Sequence, residues 1–268
     1  MAEALIRGLL RGKVFAADDI IVSGPREERM RELREKFGVR TTLDNREAAG
    51  ASIVVLSVKP QILSRVLEQI AVAIRPDALV ISIAAGVPVA AIQSRLAPGA
   101  RVVRGMPNTP ALVDAGATAI AGGEHARESD LEDAKRIFDA VGITVILDES
   151  QLDAVTGLSG SGPAYVFLLL EALLDAARQI GLPAPAARRF VEQTVAGSAA
   201  LAAASPDPPA ELRRIVTSPG GTTEAAMAVL EAKGVREAFI AAVLAAHAKA
   251  EALGKPTAAP RSTLRPPP

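Results

Sequence analysis

Two glycines and two threonines stand together in the segment Ser218-Pro-Gly-Gly-Thr-Thr223, immediately before a helical pattern that begins at Glu224. Free backbone N–H groups at the start of a helix bind anions such as carboxylates. Glycine lets a ligand approach the backbone closely because it carries no side chain. The segment is therefore a candidate anion-binding loop, and an ordinary capped loop is the alternative that these residues leave open.

Three further segments follow apolar runs that are typical of buried strands: Val58-Lys-Pro60, Ala84-Ala-Gly86 and Met106-Pro-Asn-Thr-Pro110. They offer a cation, an edge poor in side chains where a flat ligand could lie, and an amide between two prolines. Ligands of open α/β sheets bind at the carboxyl ends of the strands. Each segment alone also fits a plain turn, but at successive strand ends of one sheet they favour a shared crevice.

Ser23-Gly-Pro-Arg26 follows the first strand pattern. In dinucleotide-binding folds this position meets the adenosine ribose, where an acid accepts the 2′-hydroxyl and an arginine suits a 2′-phosphate. No acid stands at the strand end, and Arg26 is available. The segment favours NADP, although Arg26 is equally compatible with a solvated residue in the first turn of a helix.

Composition excludes several classes of chemistry. The 268 residues include 30 basic and 30 acidic ones, which leaves no basic surface to indicate nucleic acid or an anionic membrane as a partner. Cysteine is absent and histidine occurs twice, so thiolate chemistry is excluded and no metal site is expected. Any reaction must depend on a bound cofactor, hydroxyls, carboxylates, lysine or the backbone.

Residues 1–150 alternate between strand and helix patterns, which predicts an α/β fold with a doubly wound parallel sheet. Helical spacing of Met30, Leu33 and Phe37 predicts a helix that ends at Gly38. Ser129 and Glu132 predict a capping box that opens another helix. The predicted strands are Asp19–Ser23, Ile53–Val58, Leu79–Ile83, Arg101–Arg104 and Ile143–Leu147.

Residues 151–254 show only helical patterns, and residues 157–163 are interpreted as the glycine-rich start of a packed helix. The helices are rich in alanine and several are apolar on more than one face, which indicates burial against a second chain; a monomeric bundle is the alternative. No uninterrupted apolar run approaches the ~20 residues of a membrane span, so a cytoplasmic location is expected. Residues 255–268 are proline-rich and are expected to be disordered.

The combination of motifs resembles the pyrroline-5-carboxylate reductase family. The resemblance rests on residues 217–226, with Pro209-Ala-Glu-Leu212 ahead of them, on residues 155–165, and on the three strand-end segments in matching order. It implies a Rossmann domain, an interlocking helical domain, and reduction of 1-pyrroline-5-carboxylate to L-proline with NADPH, or alternatively NADH. It also implies a homodimer formed through the helical domain, and members often assemble into decamers.

The resemblance also implies site residues. The substrate carboxylate and ring would be held by Ser218, Gly220, Gly221, Thr222 and Thr223, with Thr223 as the catalytic residue that hydrogen-bonds the ring nitrogen. The dinucleotide site would be lined by Gly24, Pro25, Asn45, Ser57, Lys59, Ala85 and Asn108, together with Arg26 from the composition of its loop. No metal is expected.

The start of the chain departs from the family pattern, because members open with a strand and a Gly-x-Gly loop, whereas Met1-Ala2 here aligns with the end of that loop. We expect that the native protein begins about ten residues earlier. Two other readings stay open: an inactive helical dimerisation module, and a related imine or β-hydroxyacid dehydrogenase. The Ser218–Thr223 loop argues against the dehydrogenase, which would present a catalytic lysine in the helical half.

Overall fold

A computed structural model describes residues 1–254 of the protein. Within them, two sheets share no strand pairing: one has the order β1-β2 and the other the order β3-β4-β5-β6-β7. All neighbouring strands run parallel except β5 and β6. The strands are β1 Ile21–Ser23, β2 Arg40–Thr42, β3 Ile53–Leu56, β4 Leu79–Ser82, β5 Arg101–Met106, β6 Gly116–Gly122 and β7 Gly142–Ile146.

Helices connect these strands and then continue without strands to the end of the described residues. Those among the strands are α1 Ala2–Arg11, α2 Glu27–Phe37, α3 Asn45–Ala49, α4 Pro60–Ile70, α5 Val89–Gln93 and α6 Glu128–Asp139. The later ones are α7 Leu152–Val155, α8 Gly162–Gln179, α9 Ala184–Ala204, α10 Pro209–Ile215, α11 Thr222–Ala232 and α12 Val235–Gly254. The prediction of an α/β sheet followed by an all-helical part is confirmed.

Helices cover both faces of the five-stranded sheet, because its strands are apolar on both sides. On one face α1 and α6 pack against β4, β5 and β6 around Ile81 and Phe138. On the other face α4 and α5 pack against β3, β4 and β5 around Leu67 and Val80. Helix α1 also contributes Ile6 to the core beneath α2. This two-sided burial is the doubly wound arrangement expected of continuous apolar strands.

Two strands were not predicted from the sequence. β6 consists largely of glycine and alanine, residues with a weak preference for strands, and it forms because both its faces and both its edges find partners in the folded chain. β2 is only three residues long. The antiparallel pairing of β5 with β6 was likewise not predicted.

The capping prediction for α6 was wrong. The helix begins at Glu128, and the carboxylate of Asp130 accepts a hydrogen bond of 2.9 Å from the backbone N–H of Arg127. Ser129 and Glu132 therefore lie inside the first turns. The end of α2 is as predicted, with Gly38 in the left-handed conformation at φ 70°.

The chain divides into two compact units. The first comprises residues 1–160 together with the described residues from Ala246, and the second comprises Ser161–Ala245. Helix α12 thus begins in the second unit and ends in the first. The domain boundary at residue 150 stays a prediction. The predicted disordered tail, residues 255–268, lies outside the described residues.

One helical stretch, Glu149–Gln179, has the length and hydropathy that a bilayer span requires. It comprises the 3₁₀ turn Glu149–Gln151, α7, the π-helical segment Thr156–Gly160 and α8. Asp153, Glu171 and Asp175 interrupt its apolar residues, so the expectation that no uninterrupted apolar run reaches the length of a span is not contradicted. Helices that pack against other protein surfaces pass the same test of length and composition. We assign the stretch no membrane role.

Candidate active site

Three of the predicted cofactor residues lie at the edge of the five-stranded sheet where the parallel strands have their carboxyl ends. β3, β4 and β5 are parallel neighbours, so their carboxyl ends are adjacent. Ser57 directly follows β3, Ala85 lies three residues after β4, and Asn108 lies two residues after β5. The structure therefore brings together the strand ends that the sequence singled out.

Lys59 caps helix α4, whose first residue is Pro60. Proline fits the first helical position because its φ is already helical and its missing N–H has no partner there in any helix. The carbonyl of Lys59 accepts a hydrogen bond of 3.1 Å from Ile62, which starts the helix. The lysine side chain is exposed at this edge, where its charge is available to a bound anion.

The side chain of Asn108 holds three parts of the chain together. Its Nδ2 donates to the carbonyl and hydroxyl oxygens of Ser159, both at 3.2 Å, and its Oδ1 accepts from the N–H of Ala117 at 2.9 Å. These bonds join the loop after β5 to the start of β6 and to the π-helical segment. Asn108 thus shapes the loop, and its contact with a cofactor stays a prediction.

The loop after β4 lies against the last turn of α12. Gly86 adopts φ 71°, and a Cβ placed on it would be 3.0 Å from the Cβ of Leu253. The side chain of Ser82 accepts a hydrogen bond of 3.3 Å from the N–H of Ala84. These contacts hold the side-chain-poor loop around Ala85 in place.

The remaining predicted cofactor residues lie beside the two-stranded sheet. Gly24, at the end of β1, donates a hydrogen bond of 3.3 Å to the carbonyl of Thr42 at the end of β2. Pro25 and Arg26 are exposed, and Arg26 precedes the first residue of α2. Asn45 opens α3 and donates to Oε1 of Gln69 on α4 at 3.1 Å. These contacts place the loops after β1 and β2 next to each other.

A depression of about 340 Å³ surrounds Asn45 and is lined by Leu43, Asp44, Asn45, Arg46 and Gln69. Asp44 caps α3 by accepting a hydrogen bond of 2.9 Å from the N–H of Arg46. Sequence reasoning missed Arg46, which brings a second cation to the region of Arg26. No strand was predicted before Asp44-Asn-Arg46, because β2 is only three residues long, so the sequence pattern carried no signal for this position.

Arg104 is a second residue that sequence reasoning missed. It is buried on β5, with its guanidinium 3.3 Å from the carboxylate of Glu149 and 3.4 Å from that of Asp153. Glu149 also accepts a hydrogen bond of 2.7 Å from the N–H of Val89. The buried charge therefore fixes the segment 149–153 against the sheet, next to the loop that Asn108 shapes.

The candidate anion-binding loop lies in the second unit. Helix α11 begins at Thr222, so the predicted start at Glu224 is corrected by two residues and both threonines belong to its first turn. Within residues 1–254, the N–H groups of Thr222, Thr223 and Glu224 have no hydrogen-bond acceptor. Three free donors and the positive end of the helix dipole therefore converge at this point.

Both glycines of this loop are needed for its shape. Gly220 adopts φ 72°, a conformation that side chains disfavour, and its N–H donates a bond of 2.8 Å to the carboxylate of Glu224. A Cβ on Gly221 would lie 2.6 Å from the hydroxyl oxygen of Ser218. Thr222 is exposed and Thr223 is half-buried. The loop thus folds tightly around Ser218 and leaves the helix start open.

The cofactor residues belong to the first compact unit and the anion-binding loop belongs to the second. No group of three or more His, Asp or Glu side chains within residues 1–254 has an arrangement that could hold a metal ion. A helix start with three free N–H groups can bind an anion such as a carboxylate. Binding of a dinucleotide at the carboxyl ends of β3, β4 and β5 stays a prediction.

Two family models match the chain. Residues 149–253 match pyrroline-5-carboxylate reductase dimerisation, and residues 1–86 match NADP oxidoreductase, coenzyme F420-dependent. The first match contains the anion-binding loop, and the second contains the strand ends after β1, β3 and β4.

Whole-chain relatives carry the same name as the first model. The pyrroline-5-carboxylate reductase of Synechocystis is 48% identical over 257 residues, covering 95% of each chain. The structure of the enzyme from Coxiella burnetii superposes with a TM-score of 0.88 at 40% identity and 95% coverage of both chains. That of Plasmodium falciparum pyrroline carboxylate reductase with NADP bound gives 0.85 at 30% identity and 94% coverage of both.

Proposed function

This chain belongs to the pyrroline-5-carboxylate reductase family, and we propose how its own residues reduce 1-pyrroline-5-carboxylate to L-proline. The activity is an NAD(P)H-dependent reduction in proline biosynthesis. The observation that carries the assignment of residues is the set of three free N–H groups at the start of α11, within the Ser218–Thr223 loop.

The substrate carboxylate binds at this helix start. The N–H groups of Thr222 and Thr223 point at the anion, and Ser218 adds a hydroxyl donor beside Gly221. Gly220 and Gly221 present backbone without side chains, so the carboxylate can approach closely. Binding by the backbone fixes one end of the substrate and thereby sets the orientation of its ring.

Thr223 hydrogen-bonds the ring nitrogen. Its half-buried side chain is one residue into α11, adjacent to the N–H groups that hold the carboxylate. The carbon C5 of a cyclic imine is most electrophilic when the nitrogen is protonated, so a hydroxyl that holds the nitrogen also assists the reaction. No histidine or cysteine is required for this step, which agrees with the composition.

The residues at the sheet edge fit a dinucleotide. Ala85 lies in a loop poor in side chains, Lys59 offers an exposed charge beside a helix start, and the depression at Asn45 is open and polar. Gly24, Pro25, Arg26, Ser57 and Asn108 complete the proposed site. When bound, the nicotinamide would supply the hydride, while the chain supplies orientation and electrostatics.

We propose NADPH as the preferred cofactor over NADH. Arg26 and Arg46 stand on the two loops that follow β1 and β2, where the adenosine ribose binds in folds of this kind. Arginine matches the geometry and the charge of a 2′-phosphate. No acidic residue follows β1 directly, although Asp44 follows β2 and is engaged in capping α3.

The chain oligomerises, and we propose a homodimer that forms through the helices of residues 149–253. Large apolar side chains are exposed along α8, among them Phe167 and Leu168. A helix that is apolar on several faces requires another protein surface to cover it. Assembly into a decamer stays a prediction from the family resemblance, and a cytoplasmic location stays a prediction from the sequence pattern.

Replacement of Thr223 tests the proposed function. Thr223→Ala should lower kcat for the reduction of 1-pyrroline-5-carboxylate about 10- to 100-fold, because it removes a hydrogen bond that strengthens as charge changes on the ring nitrogen. The KM for NADPH should not change. Steady-state oxidation of NADPH at varied substrate measures both quantities.

Thr223→Ser is the matched control, since it keeps the hydroxyl and should retain most of the activity. Equal turnover of the alanine variant and the parent would remove Thr223 from the site. If the parent chain shows no oxidation of NADPH that depends on 1-pyrroline-5-carboxylate, the proposed function itself is wrong.

A further inference from the structure

Strand β7, Gly142–Ile146, forms an open edge of the five-stranded sheet. Within residues 1–254 it pairs with β6 alone. Its sequence, Gly-Ile-Thr-Val-Ile, contains no charged residue and no proline. Natural proteins block exposed edges with charges, prolines or bulges, because an unprotected edge pairs with other strands. None of these devices is present on β7.

The hydrogen-bond pattern shows which backbone groups are unpaired. Leu147 donates to the carbonyl of Ile120 at 2.9 Å, and Gly116 donates to the carbonyl of Val141 at 2.9 Å. Odd-numbered residues of β7 therefore direct their N–H and C=O groups toward β6, because these directions alternate along a strand. The backbone N–H and C=O groups of Gly142, Thr144 and Ile146 consequently point away from β6, in the plane of the sheet and toward its open edge.

The side chains of β7 are apolar and uncovered. Ile143 is 65% exposed and Val145 is 49% exposed. Both lie on the face of the sheet that carries Ala117 and Ala119, their partners on β6. On the opposite face Thr144 is buried, and its hydroxyl has no hydrogen-bond partner among the described residues. This edge thus combines free backbone groups with an exposed apolar strip.

A second copy of the chain is the occupant that the surroundings favour. Leu152, which lies in the segment matched by the dimerisation model, packs against Ala119 and Ala121 on the same sheet face as Val145. Within the first compact unit, the edge is therefore continuous with the start of the segment that matches the dimerisation model.

We propose that β7 pairs antiparallel with β7 of a second copy, across a two-fold axis at Thr144, so that two five-stranded sheets join into one. A two-fold interface requires that residue i meets j while j meets i. With Thr144 opposite its twin, Gly142 meets Ile146 and Ile143 meets Val145. The outward N–H and C=O groups of Thr144 then form the central pair of hydrogen bonds.

This pairing rests on the oligomerisation of the chain and not on the roles proposed for the site residues. Parallel pairing of the two β7 strands is excluded in this arrangement, because a two-fold axis perpendicular to the sheet reverses the strand direction. The apolar strip formed by Ile143 and Val145 would become continuous across the joined sheet.

Single cysteines test the register, since the chain contains no cysteine of its own. Ile143→Cys and Val145→Cys chains carrying different tags are co-expressed, purified as mixed oligomers and oxidised mildly. Opposite residues of antiparallel strands have Cα atoms about 4.5–5.5 Å apart, within disulfide range. The mixed sample should therefore cross-link, with peptide mapping locating the bond between positions 143 and 145.

The single variants are the matched controls. The same residue in the two copies would be a diagonal neighbour about 7–8 Å away, so each variant by itself should cross-link at least 10-fold less than the mixture. Absence of the mixed cross-link in a sample that is dimeric by sedimentation would overturn the proposal. Cross-links between two cysteines at the same position, 143 with 143 or 145 with 145, would indicate another pairing register if they formed as readily as the mixed cross-link. They would overturn the proposal as well.

Thr144→Pro tests the backbone contribution independently. Proline removes the outward N–H but leaves the bonds to β6, so the sheet should persist while the dissociation constant of the dimer rises at least about 10-fold. Thr144→Val keeps the shape and the N–H and should dimerise like the parent. Equal dimer affinity for the proline and valine variants would contradict the pairing. The Thr223 variants should cross-link normally whatever their activity, which separates this test from that of the function.

Discussion

At the level of single residues, the preference for NADPH over NADH is a prediction that we base on Arg26 and Arg46. The two arginines follow β1 and β2, and Arg46 lines the depression around Asn45. A charge-assisted hydrogen bond to a phosphate contributes about 1.5–3 kcal/mol, which corresponds to about 10- to 100-fold in affinity. The preference for NADPH should therefore depend on one or both of them.

We predict that the double variant Arg26→Gln/Arg46→Gln raises the KM for NADPH about 10- to 100-fold and changes the KM for NADH less than about 3-fold. Each single variant measures how much its own guanidinium contributes to the change in the KM for NADPH. Arg31→Gln, an exposed arginine on α2, serves as the control for loss of surface charge. A double variant with unaltered selectivity would show that the 2′-phosphate binds elsewhere.

At the level of elements, Glu3 joins helix α1 to helix α2. Its carboxylate is 2.8 Å from the ammonium of Lys36 and is also paired with Arg29. The hydrogen bonds from Lys36 and then Arg29 lower the pKa of Glu3 from 4.5 to about 2. The charged form thus stabilises the packing of the two helices, and protonation removes that contribution.

The sign of the pH dependence follows from the lowered pKa of Glu3. The stabilisation is complete above pH 4.5 and is lost as the pH falls toward 2. Glu3→Gln should lower the free energy of unfolding by about 1 kcal/mol at neutral pH, since both cations are partly exposed to solvent. Urea unfolding at several pH values should show a smaller loss of stability between pH 4.5 and 2 in the variant.

Glu32→Gln is the control for this network, because among the described residues Glu32 forms an ion pair with Arg29 alone, at 2.8 Å on the same helix. It should change the free energy of unfolding by less than about 0.5 kcal/mol. If both variants lost as much stability between pH 4.5 and 2 as the parent, the ion pairs of Glu3 between α1 and α2 would not be the cause of that loss.

At the level of the whole molecule, the helical part is incomplete as a single chain. Phe167 is 56% exposed and Leu168 is 64% exposed on α8. Within α8, only Ala177 is buried. Apolar surface of this kind gains free energy when it is removed from water at about 25 cal/mol per Å². Stability should therefore depend on association between chains.

We predict that Tm rises with protein concentration, because association stabilises the folded state by mass action. Phe167→Gln should lower Tm by at least about 3 °C, the shift expected from a loss of about 1 kcal/mol in a chain of this size. Scanning calorimetry over a range of concentrations measures both effects. Val72→Gln is the control, since Val72 is 91% exposed and lies in the first unit. A Tm independent of concentration would contradict the prediction.

The local pattern of the sequence was sufficient for most of the fold. Apolar runs such as Ile53–Val58 predicted buried strands, and i, i+3, i+4 spacing predicted helices, because these periodicities follow directly from backbone geometry. β6 could not be predicted in this way. Its alanines and glycines become a strand only through pairing with β5 and β7 on either side.

The candidate site likewise has a part that was predictable from the sequence and a part that was not. The tight loop Ser218–Thr223 and the helix after it were predictable from the sequence, since glycines and hydroxyls before a helix interact with neighbouring backbone groups. The positioning of Asn108 by Ser159 and Ala117, and the burial of Arg104 beside Glu149, join residues far apart in the chain. Short-range periodicity carries no information on such contacts, so only the tertiary structure decided them.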